Sequence, residues 1–263
     1  MKNLNSAVYF IGAGPGDPEL ITVKGKRLLE KADVVIYAGS LVNEKVLQYA
    51  KKGAAIYNSA SMAMEEIMKI MVVAAKAGEK IARLHTGDPT LYSALREQAD
   101  ILEKEGVSYE IIPGVSSAFA SAAALKDELT LPEITQTVIF SRLEGNTPVP
   151  ETERLSELAK HNATMCIFLS IGMIEKVVKE LGKGYPESTP VAVVYRATWE
   201  DEKIVRGRLK DIAQQVKKAG IKRQAMIIVG NTLGKMTGAK GKKSKLYDKD
   251  FEHGYRKKNV KLA

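Results

Sequence analysis

The residues best suited to chemistry lie in three glycine turns. They are Gly12-Ala13-Gly14-Pro15-Gly16-Asp17-Pro18, His85-Thr86-Gly87-Asp88-Pro89 and Pro113-Gly114-Val115-Ser116-Ser117. Glycine lets the main chain take positive φ and lets another group approach closely. Small and hydroxyl residues in such turns suit the binding of a small polar ligand. Any one turn reads equally well as a plain strand-to-helix connection, and Asp88 followed by Pro89 reads equally well as a helix N-cap. The first turn is a poor dinucleotide fingerprint. Its spacing is Gly-x-Gly-x-Gly, and Pro15 and Pro18 each lack an N–H that a phosphate cradle would use. The following strand ends in Ala38-Gly39-Ser40, with no acid to hold a ribose.

The other reactive side chains do not converge. His161 falls late in a polar helix pattern and His253 in the C-terminal tail. His85 stands at a strand end, where structural and substrate-contact roles are both open. No metal-ligand spacing is present. Cys166, the one cysteine, sits in the apolar run Thr164–Leu169 and reads as a buried small hydrophobe. A disulfide framework is thereby excluded, and a cytosolic setting fits.

The elements that must position these turns follow from periodicity. Apolar runs at 7–11, 80–84 and 109–112 predict strands, each ending in one of the turns, with a further strand at 33–37. Helical spacing covers 23–31, 43–51, 62–77, 92–105 and 118–125. In 62–77, Met64, Ile67, Met68, Met71, Ala74 and Ala75 make a core stripe. Strands alternating with helices predict a mostly parallel sheet, and ligands of such sheets sit beyond the carboxyl ends of the strands. Three glycine turns on that edge predict a pocket. The second half reads differently. Strands are expected at 136–141, 164–170, 191–195, 203–207 and 225–229, with helices near 151–160, 173–181 and 209–219. The link between 195 and 203 is too short for a helical crossover, so those two strands should be antiparallel. The expected organisation is a 1–118 α/β domain with glycine loops, a 119–234 mixed-sheet α/β domain, a cleft between them and a 235–263 basic tail.

Composition is that of a globular protein of 263 residues, with no signal-peptide pattern and no run long enough to span a membrane. The net charge of +9 is mostly local. Ten of the 40 basic residues and three of the 31 acidic ones lie in 235–263, leaving 30 against 28 elsewhere. A nearly neutral body with a basic tail is weak support for a nucleic-acid groove.

The glycine turns, taken in order with Gln224-Ala225-Met226-Ile227-Ile228, resemble the tetrapyrrole methylases over residues 7–234. A narrower match rests on Thr135–Ile139, Gly145–Pro150, Tyr195–Val205, Ser244–Asp248 and Phe251–His253. It is to those members that methylate C11 of precorrin-4 or cobalt-precorrin-4 in cobalamin biosynthesis. Methylation of another tetrapyrrole position, or of RNA or protein, is the alternative. The resemblance implies two α/β domains around a cleft, a cytoplasmic homodimer, S-adenosylmethionine as methyl donor and S-adenosylhomocysteine as product.

Carried over by position, the family's cofactor contacts fall on Pro15, Thr86, Gly87, Asp88, Leu91, Ser116, Ser117, Leu169, Ala197, Ala225 and Met226. For a substrate rich in carboxylates, Arg142 and Arg196 at presumed cleft-side strand ends are the expected grips. Asp17 and Glu144 are expected to accept from pyrrole N–H groups. Ion pairing of the two arginines with neighbouring acids is the competing expectation. Some relatives carry an acid near Gly39 and this chain does not, so no general base is assigned.

Overall fold

The computed structural model describes residues 6–145, 147–234 and 251–255. Asn146 and most of the basic tail, including Ser244–Asp248, lie outside the described residues. The chain divides into two compact units. One comprises residues up to Ser121 together with Arg196–Glu202; the other comprises Ala122–Tyr195 and residues from Lys203 onward.

The first unit is built on a fully parallel sheet of Val8–Gly12 (β1), Val34–Tyr37 (β2), Ala55–Asn58 (β3), Ile81–His85 (β4) and Tyr109–Ile112 (β5), in the order β3-β2-β4-β1-β5. Every residue of β1, β2 and β4 is buried, which is why these strands read as near-continuous apolar runs. Their side chains alternate between two cores. Tyr9, Ile11, Val35, Tyr37 and Leu84 pack with Leu28 and Leu29 of helix α1 (Val23–Leu29). Val8, Phe10, Val34, Ile36 and Ile81 pack with Ile67, Met68 and Met71 of α2 (Met64–Lys76) and Leu102 of α3 (Leu95–Lys104). The methionine stripe is therefore core.

Two elements depart from the pattern in the sequence. β3, Ala55-Ile56-Tyr57-Asn58, is four residues long and exposed at every position, so its short apolar stretch does not by itself mark a strand. Residues 43–51 form a 3₁₀ segment at Glu44–Tyr49 rather than an α-helix. In addition, α3 starts at Leu95 and not near Tyr92, because Tyr92 and Ala94 take φ of 53° and 52°. Left-handed residues cannot continue a right-handed helix.

In the second unit Val138–Arg142 (β6), Thr164–Phe168 (β7), Pro190–Tyr195 (β8), Lys203–Arg208 (β9) and Ala225–Val229 (β10) form a mixed sheet in the order β6-β7-β10-β8-β9. Only β6 and β7 pair in parallel. The short link does join β8 to an antiparallel β9, with Tyr195 opposite Lys203. Met165, Ile167, Val191, Val193, Ile227 and Val229 pack against the helices Leu155–Ala159, Ile174–Leu181 and Ile212–Lys218. Cys166 on β7 is fully buried, and burial pushes its thiol pKa up to about 12.

Candidate functional site

Because β4, β1 and β5 are neighbours, their carboxyl ends bring the three glycine turns side by side. The contacts are main chain against main chain. The Ala13 N–H donates to the His85 carbonyl and the Gly87 N–H to the Gly14 carbonyl, each at 2.8 Å. A Cβ on Gly12 would lie 2.5 Å from the Gly114 Cα, and one on Gly114 would lie 2.1 Å from the Gly87 carbonyl oxygen. These glycines are required by the crossing of three backbones, before any ligand is considered.

Asp88 ties two of the turns together. Its Oδ1 accepts from the Thr90 N–H (2.8 Å) and hydroxyl (2.5 Å), and its Oδ2 accepts from the Gly114 N–H (2.9 Å). Burial by itself would raise the Asp88 pKa. The hydrogen bonds from Thr90 and Gly114 outweigh it and hold the carboxyl below the usual carboxylate range. Asp88 thus caps a turn and pins the next loop, and the helix it could have capped begins only at Leu95. Beyond the pinned Gly114, Ser116 is buried and its hydroxyl accepts from the Ala118 N–H at 3.3 Å. Ser117 opens helix α4 (Ser117–Leu125). The main-chain N–H groups of Ser116 and Ser117 donate to no acceptor among the described residues. Thr86 and Leu91 are half-buried.

The first turn is held by Arg196–Glu202, which belongs to the same unit. The Trp199 indole N–H donates to the Pro15 carbonyl at 2.9 Å. The Asp17 N–H donates to the Thr198 hydroxyl at 2.9 Å, and the Asn43 side-chain amide donates to the Gly16 carbonyl at 2.9 Å. The Asp17 carboxylate accepts from the Glu19 N–H, capping the 3₁₀ turn Pro18–Leu20. Arg196 lies over the Trp199 ring, 3.9 Å from its centroid, and pairs with Asp201 at 2.7 Å. Lys45 pairs with Glu200. Ala197 is buried within this segment.

The remaining candidates share one edge of the second sheet. Arg142 stands opposite Phe168, which precedes Leu169, and Ala225 stands opposite Tyr195. Leu169 is 63% exposed at φ 54°, a strained conformation for a leucine. Met226, next along β10, is buried. The Arg142 guanidinium donates to the carbonyls of Thr147 (3.0 Å) and Pro148 (2.9 Å), folding its own loop. It makes no ion pair among the described residues. Glu144 is half-buried on that loop.

Sequence reasoning missed Asn43, Thr198 and Trp199. The signal available was a lone tryptophan in a link too short to form a helix. It also missed a buried polar cluster on β4. Arg83, 6% exposed, donates to the Gln98 side-chain oxygen (3.2 Å) and the Ser59 hydroxyl (3.0 Å). Burial pushes its pKa down to about 10. Two residues on, burial and then the Arg83 charge push His85 down to about 3, so the imidazole is neutral. No group of three or more metal-ligating side chains occurs among the described residues.

The sequence profile of the tetrapyrrole (corrin/porphyrin) methylases matches residues 7–213. A cobalt-precorrin-4 C(11)-methyltransferase of Methanocaldococcus jannaschii is 63% identical over 98% of this chain and 99% of its own. One from Priestia megaterium is 52% identical over 95% and 97%. Among solved structures, the X-ray structure of a cobalt-precorrin-4 methyltransferase of cobalamin biosynthesis superposes with a TM-score of 0.84 at 52% identity, covering 86% of this chain and 95% of that one. The uroporphyrin-III C-methyltransferase of Thermus thermophilus, solved with S-adenosylhomocysteine, superposes with a TM-score of 0.74 at 29% identity, covering 87% and 99%. A matching profile over most of the chain, near-full-length relatives and a shared pair of sheets agree: the chain belongs to the tetrapyrrole methylases.

Proposed function

We propose that this chain is an S-adenosylmethionine-dependent methyltransferase acting on C11 of precorrin-4 or cobalt-precorrin-4 in cobalamin biosynthesis. The observation that carries this reading is the 63% identity, over 98% of the chain, to a protein of that activity. The site geometry supports it. The Ser116 and Ser117 N–H groups at the start of α4 suit the carboxylate of an amino-acid moiety, and the interlocked glycine turns leave main chain as the recognition surface. These are donors a methionine-type ligand can use, so the residues fit S-adenosylmethionine. When bound, that molecule supplies a methyl group already activated on a sulfonium sulfur.

The chain has correspondingly little chemistry to perform. Pro15, Thr86, Gly87, Asp88, Leu91, Ser116, Ser117 and Ala197 are assigned to binding and orienting the donor, as are Leu169, Ala225 and Met226 on the second sheet. Leu169 contributes exposed apolar surface to exclude water. Positioning of two reactants is worth up to ~7–11 kcal/mol. Arg142 and Arg196 are assigned to the substrate's carboxylates and Asp17 and Glu144 to its ring N–H groups. Of the two arginines, Arg142 is the better placed, because carbonyl partners leave its charge intact, whereas Arg196 already faces Asp201. The neutral body and the absence of a membrane-length apolar helix among the described residues fit a cytoplasmic enzyme with a small-molecule substrate. A homodimer is the assembly we assign.

The test is incubation with methyl-labelled S-adenosylmethionine and, separately, precorrin-4, cobalt-precorrin-4, uroporphyrinogen III and RNA. Label at C11 of precorrin-4 or its cobalt complex is expected. Label on uroporphyrinogen III alone, or on RNA, would replace this reading. Light scattering at several concentrations tests the dimer.

A further inference from the structure

We propose that Trp199 is a positioning residue that sets the conformation of the first glycine turn, and through it the affinity for the methyl donor. The inference deepens the cofactor reading above and rests on it.

Gly16 carries the argument. Its φ is not in the left-handed region, so the backbone there is open to any L-residue. A Cβ at Gly16 would nevertheless lie 2.1 Å from Cδ1 and 2.3 Å from Nε1 of Trp199. The three closest approaches are all to the indole, so it is the ring that demands a glycine. The same indole donates to the Pro15 carbonyl immediately before it, and Thr198 receives the Asp17 N–H immediately after it. Three consecutive residues of the turn are therefore fixed by two consecutive residues of Arg196–Glu202. That segment is itself braced. Arg196 stacks on the ring, Asp201 holds Arg196, and the Glu202 carboxylate accepts the Thr198 N–H at 2.7 Å. Arg196 and Thr198 both take positive φ (47° and 71°). A strained pair of non-glycine residues persists only where surrounding contacts over-determine it. The strain presents an indole N–H and a hydroxyl to the turn at the same time. Pro15 has no N–H and its carbonyl already accepts the indole N–H, so at this residue the turn offers its ligand a shape more than a hydrogen bond, and Trp199 defines that shape.

The experiment is a double-mutant cycle read by calorimetry with S-adenosylhomocysteine and by steady-state kinetics, each at least 20 °C below the variant's own Tm. Wild type is titrated first; failure to bind would remove the cofactor reading and this proposal with it. Gly16→Ala and Trp199→Ala should each raise Kd at least tenfold. The double variant should be no weaker than Trp199→Ala, because the added methyl then meets no ring. Trp199→Phe keeps a ring and loses the Pro15 bond, and should raise KM for the donor severalfold with kcat unchanged. Thr198→Val, nearly isosteric, should do the same and covers the case in which Trp199→Ala does not fold. Multiplying effects of Gly16→Ala and Trp199→Ala, or wild-type Kd and KM in Trp199→Phe and Thr198→Val, would overturn the proposal. Lowered Tm with unchanged affinity would do so as well, since that is the signature of packing alone.

Discussion

Removing the Asp88 carboxylate separates two roles that look alike in a binding curve. In the structure its oxygens accept three protein hydrogen bonds, two from Thr90 and one from Gly114. In Asp88→Ala the exposed Thr90 groups find water, so little is lost there. The Gly114 bond is partly buried and joins two loops. A hydrogen bond to a charged group is worth about 1.5–3 kcal/mol. The expected cost is therefore about 1.5–3 kcal/mol in stability, or roughly 3–12 °C in Tm. If Gly114 must be pinned for the next loop to receive ligand, the Kd for S-adenosylhomocysteine should rise about 10- to 150-fold. Asp88→Asn is the decisive partner. Its amide oxygen can take the Gly114 N–H while its NH₂ donates to the Thr90 hydroxyl, leaving only the exposed Thr90 N–H to water. It should restore Tm and bring Kd to within about threefold of wild type, the loss expected of one solvent-replaced bond. Calorimetry and thermal unfolding on the three proteins measure this. An Asn variant with wild-type Tm but the weak affinity of the Ala variant would refute the loop-pinning role and place the carboxylate charge directly on the ligand.

His85 should make the fold acid-sensitive. Its folded pKa of about 3 lies below the ordinary ~6.5, so the unfolded chain binds the extra proton in between. Stability should be flat above about pH 6.5 and fall below it by up to about 1.4 kcal/mol per pH unit, and urea unfolding of His85→Gln should show a shallower slope between about pH 6.5 and 5. Cys166, with its thiol at about 12 and no exposed surface, should resist a thiol reagent at pH 8 and react at the rate of unfolding; fast stoichiometric labelling of native protein would contradict its burial. Arg142→Ala should raise KM for the tetrapyrrole, and flatten its dependence on salt, while leaving S-adenosylhomocysteine affinity unchanged. Wild-type kinetics would return Arg142 to the single job of folding residues 143–148.

The sequence alone determined whatever depends on local chemistry and near neighbours. Buried strands such as Val8–Gly12 and Val34–Tyr37 are almost wholly apolar because both faces of a parallel sheet are covered. Their glycine turns are marked by residue type, and a seven-residue link between β8 and β9 leaves only an antiparallel pairing. Even the family was legible, since its motifs are those turns in order. What the sequence left open were the contacts between residues far apart along it. Asp88 beside Pro89 has the local signature of a helix cap; only the adjacency of β4, β1 and β5 shows it gripping Gly114, 26 residues on. Gly16 reads as one more flexible glycine, and only the fold shows that an indole 183 positions away excludes any Cβ there. Edge strand β3 is open in the sequence because three apolar residues, Ala55-Ile56-Tyr57, are too short a run to tell an exposed strand from a loop. Arg83 carries no local sign of burial, because a charged residue in an apolar run is silent about which partners the opposite helix and the neighbouring loop will supply. Those partners, Gln98 and Ser59, arrive only when the strands are ordered and the helices laid across them.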